Sequence, residues 1–496
     1  MSEKNYLLLA NASMAKLSDI PRLEMGDFRA DCLRAVKEEN CRISAFFVLP
    51  GEGKEDLLTA ILADPEQKKF RIMQSAVRDG KFPSLTAEFP GFNRFEREIF
   101  ENNGILPENH PNLKPLRFTG KNDRIGEMEF FSMQGKAIHE VAVGPVHAGV
   151  IEPGHFRFQC MGETVYSLEI SLGYQHRGIE KMLTGMPDNK TAHLIETAAG
   201  DSSIAAAWNY AKLTEALGGI TVSSEVEAIR QYALELERCA NHIGDLGALA
   251  GDVAFLPTAS FCGRIRGEYL NMTAELCGNR FGRNFIIPGG IRFGVDSTRL
   301  EKISKWLHRI APELWNALEL MFNSPTVLDR FENTGSVSKD DALALGLTGV
   351  AARACGIDIN SARDLPGKNA FPEVIDCRKF SGDVISRAAV RYEELKKSHD
   401  FLFGNFDDFK TSISPAERKN PALANDAIAV AVTEAWRGEL CHVAVTGNRG
   451  EIKMLKIVDP SFHNWEGLAM ALRNEEISNF PICNKSFNLS YCGHDL

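Results

Sequence analysis

The sequence predicts an α+β chain: a small N-terminal α/β domain followed by a large, mainly helical domain with strands at its periphery. Three observations predict it. The 496 residues exceed what one small core requires, since domains run to roughly 100–200 residues. Helical periodicity extends from about Thr191 to Phe322, far beyond the length of any strand. β-like runs flank it, Arg42–Leu49 and Lys69–Val77 before, and Ala427–Thr433, Cys441–Thr446 and Ile452–Val458 after.

Taken in order, the N-terminal runs alternate with a predicted helix over Phe92–Asn103 and end in the Pro/Asn-rich stretch Pro107–Pro115. Such punctuation marks a boundary, placing one domain at 1–125 and a second at 126–496. Short apolar pairs around Val141–Val143, Phe156–Met161 and Val165–Ser171 predict strands. In the helical region Ile229, Ala233, Leu236, Ala240, Ile243 and Leu246 keep one face, while Gly244, Gly247, Ala248 and Gly251 leave room for a neighbouring helix. That pattern predicts burial in a bundle. A helix over Gly382–Phe401, another from Asn464, and an aromatic tail complete the chain; no internal repeat or low-complexity segment interrupts it.

Composition narrows the function classes. With 44% hydrophobic and 25% charged residues the chain is of ordinary globular composition, which excludes wholesale disorder and fibrous structure. A net charge of −10 disfavours nucleic acid and anionic lipid as main partners. No stretch approaches the ~20 apolar residues of a membrane span, and the Leu7–Ala10 run is short for a signal peptide, so a cytoplasmic protein without its own transmembrane segment is expected. The 11 cysteines are sparse and irregularly spaced, as expected of reduced core thiols. No Gly-x-Gly-x-x-Gly follows a strand, so direct NAD(H) binding is not expected.

The segment from Phe82 to Leu106 with His110-Pro-Asn-Leu resembles the signature of the small hydrophilic subunit of respiratory complex I. Within it Glu96, Arg97 and Glu98 read as a solvated, docking helix start. From Val143 onward the chain is similar to the large subunit shared by complex I and the membrane-bound nickel–iron hydrogenases. The likeness runs through Gly144-Pro-Val-His-Ala-Gly-Val-Ile-Glu-Pro-Gly-His, Leu172-Gly-Tyr-Gln-His-Arg-Gly-Ile-Glu-Lys, Glu237-Arg-Cys-Ala-Asn-His, Pro288-Gly-Gly-Ile-Arg, Gly382-Asp-Val and Trp436-Arg-Gly-Glu, in family order. Fusion of the two subunits resembles formate hydrogenlyase and its energy-converting, hydrogenase-related relatives.

That resemblance implies a nickel–iron-hydrogenase-like fold, yet both Cys-x-x-Cys pairs of the hydrogenase metal site are absent. Ala199 and Ser202 stand at the first pair and Ser461 and Asn464 at the second. Methyl, hydroxyl and amide groups do not replace soft thiolates, so no metal is expected, and His463 alone does not supply a site. The resemblance assigns the surrounding shell: Glu152 to the proton-relaying glutamate, Arg437 to the arginine over the metal, and His155 with Asp252 to a histidine–carboxylate proton donor of the complex I quinone site. A histidine held by a carboxylate suits that task. The alternative for Arg437 is an ion pair with Glu434 or Glu439, and for His176, Arg177, Glu180 and Lys181 a solvated patch in which Glu180 pairs with Arg177. These four shell residues are expected to line a polar pocket at the vacated metal position, with Arg437 in reach of an acid.

The resemblance implies an oxidoreductase subunit, inactive alone, peripheral on the cytoplasmic side of the inner membrane. Its implied partners are an iron–sulfur small subunit, which carries the cluster, and antiporter-like and other membrane subunits; this chain holds no cofactor, and quinone is the candidate acceptor. A non-catalytic scaffold and a hydrogenase with unconventional ligands are the alternatives.

Overall fold

A computed structural model describes residues 5–51, 55–120, 123–146, 151–188, 190–367, 375–404, 412–417 and 421–496. The N-terminal region comprises β1 (Leu7–Leu9), β2 (Ser13–Lys16), β3 (Arg22–Leu23), α1 (Met25–Glu38), β4 (Arg42–Leu49), β5 (Leu57–Asp64), β6 (Lys69–Ala76), β7 (Lys81–Pro83), α2 (Asn93–Asn103) and β8 (Leu106–Glu108). Strands β1, β6, β5 and β4 form an antiparallel sheet in that order, with β3 added to β6 in parallel. A second sheet, β9 (Ile138–Val143), β10 (His155–Met161) and β11 (Thr164–Ser171), opens the large module.

The helices follow: α3 (Ile179–Met182), α4 (Thr191–Glu196), α5 (Ser203–Gly218), α6 (Ser224–Asp252) and α7 (Leu256–Cys277). After the short hairpin β12 (Ile286–Ile287) and β13 (Gly290–Ile291) come α8 (Ser297–Phe322), α9 (Pro325–Phe331), α10 (Lys339–Ala344), α11 (Gly349–Ala354), α12 (Ser361–Asp364) and α13 (Val384–Gly404). The chain then forms β14 (Ala427–Ala435), β15 (Gly438–Thr446), β16 (Ile452–Val458), α14 (Pro460–Ala471), α15 (Phe480–Phe487) and α16 (Tyr491–Asp495). The expected aromatic tail is thus helical and buried, with Phe480, Phe487 and Tyr491 in the large core.

The small residues of α6 act as expected. A methyl group on Gly247 would lie 2.6 Å from the Cys262 side chain, so only a bare backbone lets α7 approach this closely.

Strands β16, β15, β14 and β2 form one antiparallel sheet in that order, which carries Ser13 opposite Val430. Side chains alternate across it. Ile428, Val430, Val432, Val443 and Val445 enter the core of the N-terminal module, while Ala429, Ala431, Leu440 and Ala444 enter the helical core. The alanine side lets α5 lie close against the sheet, and the β-branched side fills the space beneath β4 and α2. The sheet therefore stands between two cores and belongs to both.

Two expectations about charge are corrected. Glu96, Arg97 and Glu98 are buried rather than solvated. Glu96 accepts hydrogen bonds from Ser84 Oγ (2.5 Å), Leu85 N (2.6 Å) and Thr86 Oγ1 (2.7 Å), closing the loop before α2. Glu98 pairs with Arg117 and with Lys456 on β16 (2.6 Å); although burial opposes ionisation, these cations hold its carboxyl down to about 2. Likewise Glu180 does not pair with Arg177. It takes Lys456 Nζ at 3.0 Å and Ile457 N at 2.8 Å, while Arg177 donates to the carbonyls of Thr197 (2.7 Å), Ala198 (2.9 Å) and Cys492 (3.3 Å). Glu96, Arg97 and Glu98 are thus internal struts, whereas His176, Arg177 and Lys181 are exposed, as expected of a solvated patch, with Glu180 turned to Lys456.

Buried histidines give the fold a pH dependence. His399, His442 and His494 lie in the interior, and desolvation pushes their imidazoles down to about 4, about 3 and about 3. Each stays neutral in the folded chain, whereas an unfolded imidazole charges near pH ~6.5. The folded form then binds fewer protons, so this stabilisation is fully present above pH ~6.5 and is lost as pH falls toward the lower values, at about 1.4 kcal/mol per unit per histidine. The thermal midpoint should fall progressively below pH ~6.5; a flat profile down to pH ~4.5 would contradict the assignment.

Candidate functional site

The site region is built where the α4–α5 junction, the β14–β15 turn, the start of α14 and the segment Asn488–Cys492 meet. Arg437, in the turn, forms a two-pronged pair with Asp201, 2.8 Å to Oδ1 and 2.7 Å to Oδ2, and its Nε donates to the Asn488 carbonyl at 2.6 Å. Burial opposes the charge, but the Asp201 carboxylate holds the guanidinium ionised, well above the usual arginine range. Trp436 lies under it, the guanidinium carbon 3.8 Å from the ring centroid, and its indole donates to the Asp201 carbonyl at 3.0 Å. Arg437 is thus in reach of an acid, as expected, but the acid is Asp201 and not Glu434 or Glu439. Glu434 instead takes Arg353 (2.8 Å), and Glu439 takes Arg42 (3.0 Å) and Ser44 Oγ (2.5 Å).

The four positions without thiolates are filled. Ala199, Ser202, Ser461 and Asn464 are at most 4% exposed. Ser461 Oγ accepts from Ser490 N at 2.8 Å, Asn464 Oδ1 accepts from Thr348 N at 2.9 Å, and Asn464 Nδ2 donates to Thr348 O at 3.1 Å. Asp459 caps α14, accepting from Ser461 N at 2.7 Å. Asn488 Nδ2 donates to Asp245 at 2.5 Å, and Asp245 takes Arg391 at 2.8 Å. Hydroxyl and amide groups committed to backbone partners do not fit nickel or iron, which require soft charged donors. No group of three or more His, Cys, Asp or Glu suited to a metal occurs among the described residues. Around these positions the polar groups are held in an internal hydrogen-bond network, with the Asp201 side chain 34% exposed at its edge.

The shell residues do not converge as one constellation. Glu152 accepts from the amides of Tyr491 (3.2 Å) and Cys492 (3.3 Å), so it anchors the same segment that Arg437 holds at Asn488. His155 begins β10; Nδ1 faces the Gly144 carbonyl at 3.3 Å and Nε2 accepts from Arg157 Nε at 3.2 Å. That pattern requires the neutral ring with its proton on Nδ1, and desolvation lowers the pKa in the same sense. Asp252 is exposed at the last turn of α6, and no hydrogen bond joins it to His155 among the described residues. The expected His155–Asp252 pair is therefore absent there. His147 lies outside the described residues.

A different histidine is held by a carboxylate. His242 Nε2 lies 2.7 Å from Glu394, which also takes Arg353 at 2.7 Å and lies 3.6 Å from Arg238. His242 stacks edge-on against Trp436, ring centroids 6.2 Å apart, so this ion cluster lies directly behind the Arg437 turn. Sequence reasoning missed Glu394 and Asp201. Asp201 had a signal, since it stands between the vacated positions 199 and 202; Glu394 had none, being 152 residues from its histidine.

Fold and site together describe a large, mainly helical module, in which the positions the resemblance assigns to metal thiolates hold Ala199, Ser202, Ser461 and Asn464, joined to a smaller sheet module. The comparisons agree with both halves. Residues 31–123 match the family described as respiratory-chain NADH dehydrogenase, 30 Kd subunit, and residues 252–417 match the 49 Kd subunit family. The chain is 25% identical to hydrogenase-4 component G of Escherichia coli over 91% of its length and 80% of that relative's, and 26% identical to formate hydrogenlyase subunit 5 of the same organism, over 83% and 76%. It is 28% identical to the membrane-bound hydrogenase subunit alpha of Pyrococcus furiosus, over 70% and 85%. A chain from the solved membrane-bound sulfane sulfur reductase, an archaeal respiratory membrane complex, shares the fold, with TM-score 0.65 and 20% identity over 73% of this chain and 99% of that one. The chain thus carries a 30 Kd-type and a 49 Kd-type complex I module on one polypeptide, is similar to large subunits of formate hydrogenlyase and hydrogenase-related complexes, and has no Cys-x-x-Cys pair.

Proposed function

We propose that the chain is the peripheral large subunit of a membrane-bound, complex I-like complex that couples electron transfer to ion translocation without nickel–iron chemistry. The observation that carries this is the joining of both complex I-type modules around a large-subunit site whose thiolate positions hold Ala199, Ser202, Ser461 and Asn464. No helix among the described residues is long and apolar enough to cross a membrane, so attachment would come through other subunits. These are an iron–sulfur subunit, whose cluster would supply electrons, and antiporter-like membrane subunits, with the assembly on the cytoplasmic face of the inner membrane.

Quinone is the acceptor this reading favours, because its reduction requires electrons and proton donors but no metal at the quinone. His155, buried and neutral at the edge of β10, would hold a proton on Nδ1. The Arg437–Asp201–Asn488 hydrogen-bond network favours a second reading, a scaffold that transmits conformational change between cluster and membrane arm.

The test is one anaerobically purified complex with metals quantified and quinone reduction assayed. Nickel should be absent and hydrogen evolution nil; stoichiometric nickel in this chain would sink the reading. His155→Ala should abolish quinone reduction while the complex still assembles, and unchanged turnover in both His155→Ala and Asp252→Asn would select the scaffold.

A further inference from the structure

Away from that site, the seam between the two cores contains a cavity of about 360 Å³. Its walls come from α5, α6, β14, the loop after β1 and the chain following α12. Leu234, Ile220 and Leu365 make much of the lining apolar, yet a cation stands in it. Half-buried Lys212 donates from Nζ to Thr433 Oγ1 at 2.7 Å and to the Val432 carbonyl at 3.2 Å, with the Trp208 ring centroid 4.3 Å away. An ammonium has three donors, so one remains.

Among the described residues Lys212 forms no ion pair. The carboxylates on the wall are committed elsewhere: Glu215 and Glu227 to Arg230 at 2.7 and 3.2 Å, and Glu434 to Arg353. Loss of hydration pushes the ammonium down to about 8, which leaves it charged at neutral pH. Trp208 is 4% exposed and its indole N–H has no partner among the described residues. An ammonium without an ion pair on a largely apolar cavity wall costs free energy unless an acceptor enters.

We propose that this cavity binds a small organic carboxylate, its acid group on Lys212 and its apolar body between Trp208 and Leu234. A cation with no ion pair among the described residues, set in mainly apolar walls, suits a monoanion; a phosphate ester would set its second charge against Glu215, Glu227 and Glu434. The volume is at the small end of the roughly 300–1,000 Å³ of small-molecule sites. Because both modules supply walls, occupancy ties them together, independently of the electron-transfer role.

Benzoate is the probe. Titrated into the full chain at constant ionic strength, it should quench tryptophan fluorescence saturably and raise the thermal midpoint, while neutral benzamide should bind at least about tenfold more weakly, the loss expected for one charged hydrogen bond. Lys212→Met should lose the benzoate response, and Leu234→Trp, which fills the cavity and retains the lysine, should lose it as well. A benzoate response that is absent in the native chain, matched by benzamide, or retained in either folded variant would overturn the proposal.

Discussion

Gly349→Ala is expected to force the Arg437 turn away from α11 and to lower the thermal midpoint sharply. Gly349 starts α11 with φ +62°, and a methyl group there would lie 1.9 Å from the Arg437 carbonyl oxygen and 2.4 Å from Gly438 Cα. Gly438 returns the constraint: with φ +139°, its own methyl would lie 2.6 Å from Gly349 Cα. Both obstacles are backbone, so no rotamer change relieves the overlap. Left-handed strain costs about 1 kcal/mol and overpacking a further 1–3 kcal/mol or so, giving a loss of about 3 kcal/mol. Since Arg437 moves with the turn, its two hydrogen bonds to Asp201 should break. Thermal denaturation reads the first effect; a midpoint equal to that of the native chain would show that the two segments do not touch.

Glu394→Ala is expected to be at least as damaging, for an electrostatic reason. Burial opposes ionisation of Glu394, but Arg353 and His242 hold its carboxyl well below the usual range. Removing it strands Arg353 and Arg238, both 3% exposed at the side chain, with one carboxylate partner fewer each. Breaking such a buried pair costs about 3–5 kcal/mol. Replacing Arg353 with Met in the same chain should not restore the stability, because Arg353 also holds buried Glu434 at 2.8 Å, whose carboxylate is then stranded in turn. Urea unfolding of the single and double variants checks this. A single-variant loss below about 1 kcal/mol, within the range of surface pairs, would show that the cluster is hydrated rather than buried.

Much of the secondary structure was legible because its signals are local. The Phe92–Asn103 helix, the α6 face from Ile229 to Leu246 and the three late strands follow period 3.6 or period 2, and each lies within a few residues of where the pattern put it. The use of charge was not legible. Glu96-Arg97-Glu98 has the local look of a wet helix start, and only the fold brings Ser84, Lys114 and Lys456 to those side chains. The site divides in the same way. Arg437 and the four vacated positions were found because the motifs around them are contiguous, whereas His155 and Asp252 were joined by resemblance across 97 residues of chain. Packing instead gave a carboxylate partner to His242.

The sheet shared by the two cores bears on how the chain is made. Pairing of Ser13 with Val430, and burial of Val458 and Phe462 beside β4 and α2, mean that the N-terminal module closes only with residues synthesised hundreds of positions later. Such long-range closure is slow and leaves apolar surface uncovered during elongation. A ribosome-bound nascent chain halted after the first module should therefore be protease-sensitive and chaperone-bound, while the completed chain locks in a single event. Having both modules on one polypeptide fixes their stoichiometry at one to one and replaces a bimolecular encounter, dependent on concentration, with a tethered one.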